Sequence, residues 1–192
     1  TYTLTIEATT SLWDCGEFIA SSWKQQVVHP PGASTFLMIS RMFTLLAAGD
    51  PQLIGLTINF MSGLCSAFAM MFLCWVTIHL ARKLITPDNA TDNQYTAGQA
   101  WTILGAGLIA GLGGTFTDSI WFSAVEGEVY SMSLMFTAMV VWAACKWDAR
   151  ADKPSADNWL LFIGFIIGVT LFVHWLNILA IPAITMVYYF RR

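Results

Sequence analysis

The chain has 192 residues, of which 56% are hydrophobic and only 11% are Asp, Glu, Lys or Arg. Soluble domains carry a charge on about a quarter of their residues, so this composition indicates a membrane protein. The net charge of −3 and the lack of a continuous basic run in the sequence exclude a nucleic-acid partner. The four cysteines show no metal-binding or redox spacing, and no disulfide is predicted.

Residues 1–52 are predicted to form an outer loop whose helices lie along the membrane surface. The first ten residues alternate polar and apolar side chains, which is typical of a short extended segment. An amphipathic stretch follows Asp14 and ends near Trp23, and the two prolines of "HPPG" then force an extended turn. Ser34 to Ala48 has an apolar helical face, but its length of about 15 residues and its internal Arg41 favour an interfacial helix over a span. The chain shows no signal-peptide pattern and is treated as a fragment.

Residues 53–192 are predicted to form a transmembrane bundle of about four to five spans. Four uncharged runs reach or approach the ~18 to 20 apolar residues that a spanning helix needs: Leu53–Leu80, Trp101–Phe116, Val129–Cys145 and Trp159–Phe190. In the second run, Gly107 and Gly111 form a small-xxx-small pattern that favours close helix packing. The fold class is therefore all-α and polytopic.

The last run is too long for one span. It contains 33 uncharged residues between Asp157 and Arg191, which would extend about 50 Å as one helix against a hydrocarbon core of ~30 Å. A tilted helix could absorb part of the excess. The polar cluster of His174, Trp175 and Asn177 near the middle instead favours two short spans joined by a turn.

The basic residues predict the orientation of the bundle. Seven of the nine fall at ends or loops that one up-and-down path places on the same side, which the positive-inside rule makes cytoplasmic: Arg82, Lys83, Lys146, Arg150, Lys153, Arg191 and Arg192. The same path places the N-terminal loop, the loop at 117–128 and the turn at His174 on the outer face. Nearly all the acidic residues outside the cytoplasmic loops are therefore expected on the outer face.

Asp14 and Glu17 are the first candidate catalytic residues. They are three residues apart, so both would face the same side of a helix. From spacing alone, "DCGE" reads more readily as a helix cap, and "SLWD" fits the same pattern one turn earlier. The flanking aromatic side chains, however, place these carboxylates at an apolar boundary, where their pKa values can be tuned for base catalysis.

The loop "TDSIWFSAVEGEVYSMS" supplies a second group of acids. Ser123 and Glu126 again match a capping box, which gives Glu126 a structural explanation. Glu128 lacks that explanation, and both acids are candidate substrate-binding residues. Carboxylates from two loops on one face could also hold a divalent cation, although no ligand spacing here is diagnostic of a metal.

Four cations or potential cations are assigned to the outer face, and they are candidate ligands of a donor phosphate: Lys24, His29, Arg41 and His174. Interfacial snorkelling is the alternative for the long side chains, and a satisfied core position is the alternative for His174. Four such groups around an acidic pair favour a phosphate-bearing ligand held beside a base. Asn177 joins them as a candidate substrate-binding residue, because it neighbours His174 at the proposed turn.

Three sequence blocks carry a family resemblance. In this order and spacing, the blocks "SLWDCGEFIASSWKQQVVHPPGA", "WFSAVEGEVYSMSLMF" and "GVTLFVHWLNILAIPAI" resemble a bacterial family of polytopic membrane proteins long catalogued as a domain of unknown function. That family is placed among the GT-C glycosyltransferases, near the protein O-mannosyltransferases, and has an animal relative that O-mannosylates receptor ectodomains. The blocks span residues 11 to about 184, which is most of the chain.

The resemblance implies a GT-C fold in which the first outer loop carries the catalytic acid, which aligns with Asp14, with Glu17 beside it. It also implies a polyprenyl-phosphate-linked sugar as donor and a Ser or Thr hydroxyl of a protein as acceptor. The expected location is the bacterial inner membrane, with the active site facing the periplasm.

The resulting hypothesis is an inverting glycosyltransferase in which Asp14 accepts the proton of the acceptor hydroxyl. Two alternatives come from other classes. A transporter or lipid-handling protein would use polar residues inside the spans, such as Asn59, Ser62, Ser66 and Thr77. A non-catalytic subunit of a membrane complex is expected if the acidic pair only caps a helix.

Overall fold

The computed structural model describes residues 1–85 and 95–191, and the regular structure in these ranges is helical, without a strand. The predicted all-α class is therefore confirmed. The α-helices in chain order are α1 (Cys15–Lys24), α2 (Ser34–Thr44), α3 (Ile54–Ile85), α4 (Ala97–Thr115), α5 (Asp118–Val125), α6 (Val129–Asp148), α7 (Asp157–Leu171) and α8 (Ala180–Arg191).

Helix α3 is the central element of the bundle. Its 32 residues extend about 48 Å, which exceeds the ~30 Å hydrocarbon core, and it packs along both α4 and α6. Among the described residues, two helical segments are long and apolar enough to cross a membrane, Pro51–Ile85 and Val129–Asp148. Helices α4 and α5 meet this requirement only together, and they are bent by 62° at their junction.

The close packing predicted for Gly107 and Gly111 is confirmed. A Cβ at Gly107 would lie 2.5 Å from Cγ1 of Ile78, and one at Gly111 would lie 3.3 Å from Cβ of Cys74. Side chains at these positions would push α4 away from α3. The two glycines therefore allow the backbones of the helices to approach each other.

The last uncharged run is broken into a hairpin. Helix α7 ends at Leu171, a 3-10 helix covers Trp175–Leu179, and α8 then returns along the bundle. The guanidinium of Arg191 lies 3.3 Å from Asp148 and 2.6 Å from Asp152, which places the end of α8 beside the loop from which α7 starts. The predicted turn near His174 is confirmed, membrane spanning by each of the two helices stays a prediction, and Arg192 lies outside the described residues.

The number of spans stays a prediction. Helices α7 and α8 contain 15 and 12 residues, about 22 Å and 18 Å, which is shorter than a ~30 Å hydrocarbon core. Of the predicted four to five spans, the count of five treats each of them as a span, and the count of four treats the whole run as one. The division at residues 52 and 53 and the cytoplasmic orientation of the basic end likewise stay predictions.

The segment before α1 forms a strap over the bundle, and the short extended segment predicted there is wrong at its start. Residues Tyr2–Leu4 form a 3-10 turn, and the Tyr2 hydroxyl donates to the carbonyl oxygen of Thr115 at 3.0 Å. The amide of Asn59, buried in α3, donates to the carbonyl oxygens of Glu7 and Thr9, each at 2.8 Å. These bonds fix the approach of the chain to Asp14.

Helices α1 and α2 pack against each other beside the strap. The rings of Phe18 and Phe36 meet edge to face at 5.3 Å, and the hydroxyls of Ser22 and Ser40 lie 2.5 Å apart. The other face of α2 and the 3-10 turn that follows it expose large apolar side chains: Met38, Met42, Leu45 and Leu46. This distribution fits the predicted interfacial helix.

Candidate active site

Asp14 lies at the N-terminus of α1, and its carboxylate is exposed to solvent. The preceding residue, Trp13, has a left-handed backbone (φ 63°), which is uncommon for a residue other than glycine. The Asp14 side chain is 57% exposed and forms no capping hydrogen bond with the backbone that the structure describes. The capping explanation of Asp14, like the one based on "SLWD", is therefore wrong.

Glu17 binds His29 instead of capping the helix. One carboxylate oxygen accepts the His29 backbone N–H at 2.7 Å, and the other lies 2.9 Å from the ring Nδ1. Hydrogen bonding to the ring and the backbone lowers the pKa of Glu17, and the same carboxylate raises the pKa of His29. The pair therefore favours a carboxylate beside an imidazolium, and Nε2 of His29 lies 4.0 Å from Oδ2 of Asp14.

Asp14, Glu17 and His29 also offer ligand types that suit a divalent cation. One ligand atom from each can be chosen so that all three lie within 4.8 Å of one another. Cations of this class bind carboxylate oxygen and imidazole nitrogen at about 2.0 to 2.6 Å, so the spacing is compatible with one shared ion. All three residues are exposed, and exposed acids form such groups without a metal. The divalent cation considered from the sequence, between carboxylates of two loops, stays a prediction and differs from this group in its ligands.

Gly127 brings the second acidic loop against α3. A Cβ at Gly127 would lie 2.9 Å from both Oδ1 of Asn59 and Cγ2 of Ile58. Ser123 lies inside α5 and its hydroxyl donates to the carbonyl oxygen of Ser119 at 3.0 Å, so the predicted capping box with Glu126 is wrong. Helix α5 begins five residues before Ser123, which places Glu126 after the helix and not in its first turn.

Glu126 and Glu128 are both buried, with exposed fractions of 2% and 5%. Glu126 accepts a hydrogen bond from the hydroxyl of Ser11 in the strap. Burial raises the pKa of Glu126, and it raises the pKa of Glu128 to about 7, assisted by the charges of Glu126 and Asp14. Glu128 therefore changes its charge close to neutral pH.

Two cavities meet at Asp14, Glu128 and Tyr130. The larger has a volume of about 650 Å³ and its walls are acidic and aromatic: Trp13, Asp14, Asp118, Ser119, Phe122, Ser123, Glu126, Glu128 and Tyr130. The smaller is a hollow of about 70 Å³ that reaches both histidines of the outer end, His29 and His174. The carboxylate of Asp14 thus lies in a wall that the two cavities share.

An apolar groove of about 600 Å³ continues from the small hollow. The two share Val28, Pro31, Gly32 and Ala33. Farther along, the groove is lined by side chains from α2 and from the turn after α7: Leu37, Leu171, Phe172, Trp175 and Ile178. The small hollow therefore connects the acid side of the site to an apolar surface.

His174 lies in the small hollow, as its assignment to the outer site requires. Its Nδ1 accepts the Leu176 backbone N–H at 3.2 Å, and its ring lies 5.5 Å from the ring of Tyr130. Burial lowers the pKa of His174, so the neutral ring predominates near pH 7. Because Nδ1 is the acceptor, the proton of the neutral ring is on Nε2, which can donate to a ligand.

Asn177 is buried away from both cavities. Its Oδ1 accepts the hydroxyls of Ser133 at 2.7 Å and Thr137 at 2.8 Å, and its amide donates to the carbonyl oxygen and the hydroxyl of Thr170. Both polar atoms are therefore used to join the α7–α8 turn to α6. The structure gives Asn177 a structural position, and its predicted substrate contact stays a prediction.

Lys24 and Arg41 lie at the opposite end of α1 from Asp14. The guanidinium of Arg41 donates to the carbonyl oxygen of Trp23 and to Oγ1 of Thr44, each at 3.1 Å, and lies over the Trp23 ring at 4.8 Å. Since α1 has ten residues, about 14 Å of helix separates these cations from Asp14. Of the four predicted phosphate ligands, the structure thus brings only His29 and His174 to Asp14.

Sequence reasoning missed three aromatic walls of the site, Trp13, Phe122 and Tyr130, as binding residues. Tyr130 follows Glu128 by two residues at the start of an apolar helix, where an aromatic side chain gives no distinct signal. Ser11 was missed as the partner of Glu126 for another reason. The two residues are 115 positions apart, and only the strap brings them together.

Comparison with known proteins identifies the family of the chain. Residues 14–192 match the sequence profile described as "Protein O-mannosyl-transferase TMEM260 N-terminal domain". The chain is also 27% identical over 140 residues to "Protein O-mannosyl-transferase tmem260" of Dictyostelium discoideum. That alignment covers 73% of this chain and 15% of the relative. No solved structure matches the chain.

The predicted relationship of the chain to the protein O-mannosyltransferases is thus confirmed, while a bacterial origin stays a prediction. The matched region begins at Asp14 and includes both acidic segments and the turn at His174. The match covers nearly the whole described chain and is not limited to a single motif. The chain belongs to the family of the protein O-mannosyl-transferase TMEM260 N-terminal domain.

Proposed function

We propose that this chain forms the donor-side part of an inverting GT-C glycosyltransferase that moves mannose from a polyprenyl-phosphate carrier to a protein hydroxyl on the outer face of the membrane. The main support for this proposal is the position of Asp14. Its carboxylate makes no capping hydrogen bond in the described backbone, and the residue lies between an acidic cavity and a hollow with two histidines. The name of the matched family supports the sugar and the type of acceptor.

Asp14 is the general base in this proposal. Its carboxylate takes the proton of the acceptor hydroxyl as the acceptor oxygen forms a bond to C1 of the sugar. The bond between C1 and the phosphate oxygen breaks, and its electron pair stays on the phosphate. A base in this position must lie within hydrogen-bond reach of the hydroxyl, which the exposure of Asp14 to the large cavity permits.

His29 and His174 stabilise the phosphate that leaves. Glu17 keeps His29 in its cationic form, so a positive charge faces the small hollow. His174 contributes a neutral N–H donor from the opposite wall. Donors aimed at a developing negative charge stabilise the transition state more than the ground state, which is the requirement for catalysis.

The apolar groove takes the polyprenyl chain of the donor. It opens from the hollow through Val28 and the Pro31–Ala33 turn, so a phosphate at His29 would have its lipid next to an apolar surface. Burial of apolar surface contributes about 25 cal/mol per Å², which suits a long isoprenoid chain. A soluble nucleotide sugar would make no use of this groove.

Two observations favour the transfer reaction over the alternatives. Three of the four polar residues that suggested transport are hydrogen-bonded within the bundle: Ser66 bonds to Ser131 at 2.9 Å, Asn59 holds the strap, and Thr77 bonds to the carbonyl oxygen of Leu73. The buried hydroxyl of the fourth, Ser62, has no hydrogen-bond partner among the described residues. None of these residues lines a cavity described above. Capping of α1 by the acidic pair would have favoured the non-catalytic subunit, and Asp14 makes no capping hydrogen bond in the described backbone.

The test is a transfer assay with the whole protein in lipid vesicles. Labelled mannose is supplied either on polyprenyl phosphate or on a nucleotide, together with a threonine-containing protein acceptor, and the product is read by mass spectrometry. We expect a mannosylated acceptor from the lipid donor and none from the nucleotide donor. Movement of the lipid donor across the membrane without a glycosylated product would favour the transporter and contradict the proposal.

A further inference from the structure

The two cavities beside Asp14 differ in charge. Asp14 and Glu128 line both cavities, and the small hollow adds His29 and His174 and continues into the apolar groove. The large cavity is lined by four carboxylates, and no Lys, Arg or His belongs to its described wall: Asp14, Asp118, Glu126 and Glu128 are its acids. A phosphate therefore finds two imidazole partners in the hollow and no cationic partner in the described wall of the large cavity.

The stereochemistry of an inverting transfer places the acceptor in the large cavity. In an inverting transfer, the acceptor oxygen attacks C1 from the face opposite the leaving group. If the phosphate lies in the hollow, the acceptor therefore approaches from the far side of the sugar, through the cavity of about 650 Å³. Pockets of this size hold ligands that are larger than one sugar ring. The flanking residues of an acceptor segment thus reach the walls of this cavity.

The wall residues match a cationic side chain in two ways. Asp118 is exposed in the first turn of α5, at the rim of the cavity, where it can pair with a Lys or Arg. The rings of Trp13 and Phe122 are 86% and 54% exposed in the same wall, and aromatic faces attract Lys and Arg by cation–π contact. An Asp, a Glu or a phosphorylated residue finds no Lys, Arg or His in the described wall and faces the carboxylate of Asp118.

We propose that the acidic cavity selects acceptor segments whose target hydroxyl is flanked by Lys or Arg and disfavours segments with flanking acids. This inference rests on the proposed function for the identity of the ligand. Asp118 is the specificity-determining residue at the rim, and it is not part of the proton transfer. Its effect is on acceptor binding, with the donor bound from the other side of Asp14.

Peptide binding tests the inference separately from catalysis. The probes are fluorescent threonine peptides of equal length with either lysine or glutamate flanks, and their dissociation constants are measured with the whole protein in nanodiscs without donor. We expect the lysine peptide to bind about tenfold more tightly, with a smaller ratio at high salt. Equal affinity of the two peptides overturns the inference, whether or not transfer occurs.

Two variants test whether the preference for the lysine peptide arises in the acidic cavity. Asp118→Lys should reduce the affinity ratio of the lysine to the glutamate peptide by at least about two- to fivefold, because it replaces one exposed negative charge by a positive one. Asp50→Asn removes a carboxylate at the same end of the bundle, keeps an acceptor for the Gln52 N–H and should leave the ratio unchanged. An equal change in both variants overturns the assignment to the cavity. A clear preference without any transfer would contradict the proposed function and leave the cationic specificity established.

Discussion

Glu17 accepts two hydrogen bonds from a single residue, His29: one from its backbone N–H at 2.7 Å and one from its ring Nδ1 at 2.9 Å. This double contact joins α1 to the "HPPG" turn and fixes which ring nitrogen is engaged. Nε2 is thereby left on the side of Asp14, at 4.0 Å from its carboxylate. These contacts support a positioning role of Glu17 for His29 in the proposed mechanism, and the predicted catalytic role of Glu17 stays a prediction.

Replacing Glu17 by Gln should weaken donor binding at the alkaline end of the pH range. The carboxylate raises the pKa of His29, so the imidazolium is present at low pH and is lost as the pH rises through that raised value. Without it, the loss should begin at lower pH, and the donor KM near pH 7.5 should rise about three- to tenfold. The measurement is donor KM as a function of pH.

The matched control for this prediction is His29→Gln, which has no titrating ring. Its donor KM should be high at every pH and should lack the alkaline limb. A parallel rise in Glu17→Gln at all pH values would contradict the role assigned to the ion pair and indicate a general loss of structure.

Gly127→Ala should destabilise the protein. Its Cβ would come within 2.9 Å of Asn59 and Ile58 in α3, and overpacking of this kind costs about 1 to 3 kcal/mol. Gly164→Ala is the control, because a Cβ there meets nothing within 4 Å and alanine favours a helix. The readout is Tm in detergent, which should fall for the first variant and stay level or rise for the second.

Glu128→Gln should stabilise the protein selectively above neutral pH. Because burial raises the pKa of Glu128 to about 7, the folded state keeps its proton between about pH 4.5 and pH 7, while the unfolded chain has lost it. Wild-type stability therefore decreases as pH rises through this window. The neutral variant should gain about 1 to 2 kcal/mol at pH 8 and little at pH 5, as measured by Tm at both values. An equal gain at both pH values would contradict the titration of this carboxyl group.

Asn177→Ala should cost about 1 to 3 kcal/mol, since it leaves the half-buried hydroxyls of Ser133 and Thr137 without their acceptor. Because Asn177 also fixes the turn that carries His174, transfer should fall together with Tm. Asn158→Ala, at an exposed position in the first turn of α7, is the control and should change neither. Loss of transfer at unchanged Tm would instead support a direct substrate contact by Asn177.

The main elements of the bundle were predictable because they depend on apolar length. Helices α3 and α6 follow from uncharged runs, and the hairpin follows from a run that exceeds the thickness of a membrane and contains a polar cluster at His174. Gly107 and Gly111 were predictable because close helix packing imposes a local four-residue spacing.

The site was less predictable because short motifs do not identify the partner of a side chain. The three-residue spacing of Asp14 and Glu17 is the same for a capping box and for an acid that binds a distant histidine. Topology placed Arg41 on the same end of the bundle as Asp14, but it gave no distance within that end. Only the packing of α1 on α2 shows that Arg41 binds the far end of α1.

The most direct measurement of the central claim is the transfer rate of Asp14→Asn in vesicles, with polyprenyl-phosphate mannose as donor and a threonine-containing protein as acceptor. Asparagine keeps the shape of the side chain but cannot take the proton, and loss of a general base typically reduces a rate by about 10² to 10⁴. We predict a loss of this size in kcat, with membrane insertion, Tm and donor KM close to wild type. Wild-type transfer by the correctly inserted variant would contradict the assignment of Asp14 as the base.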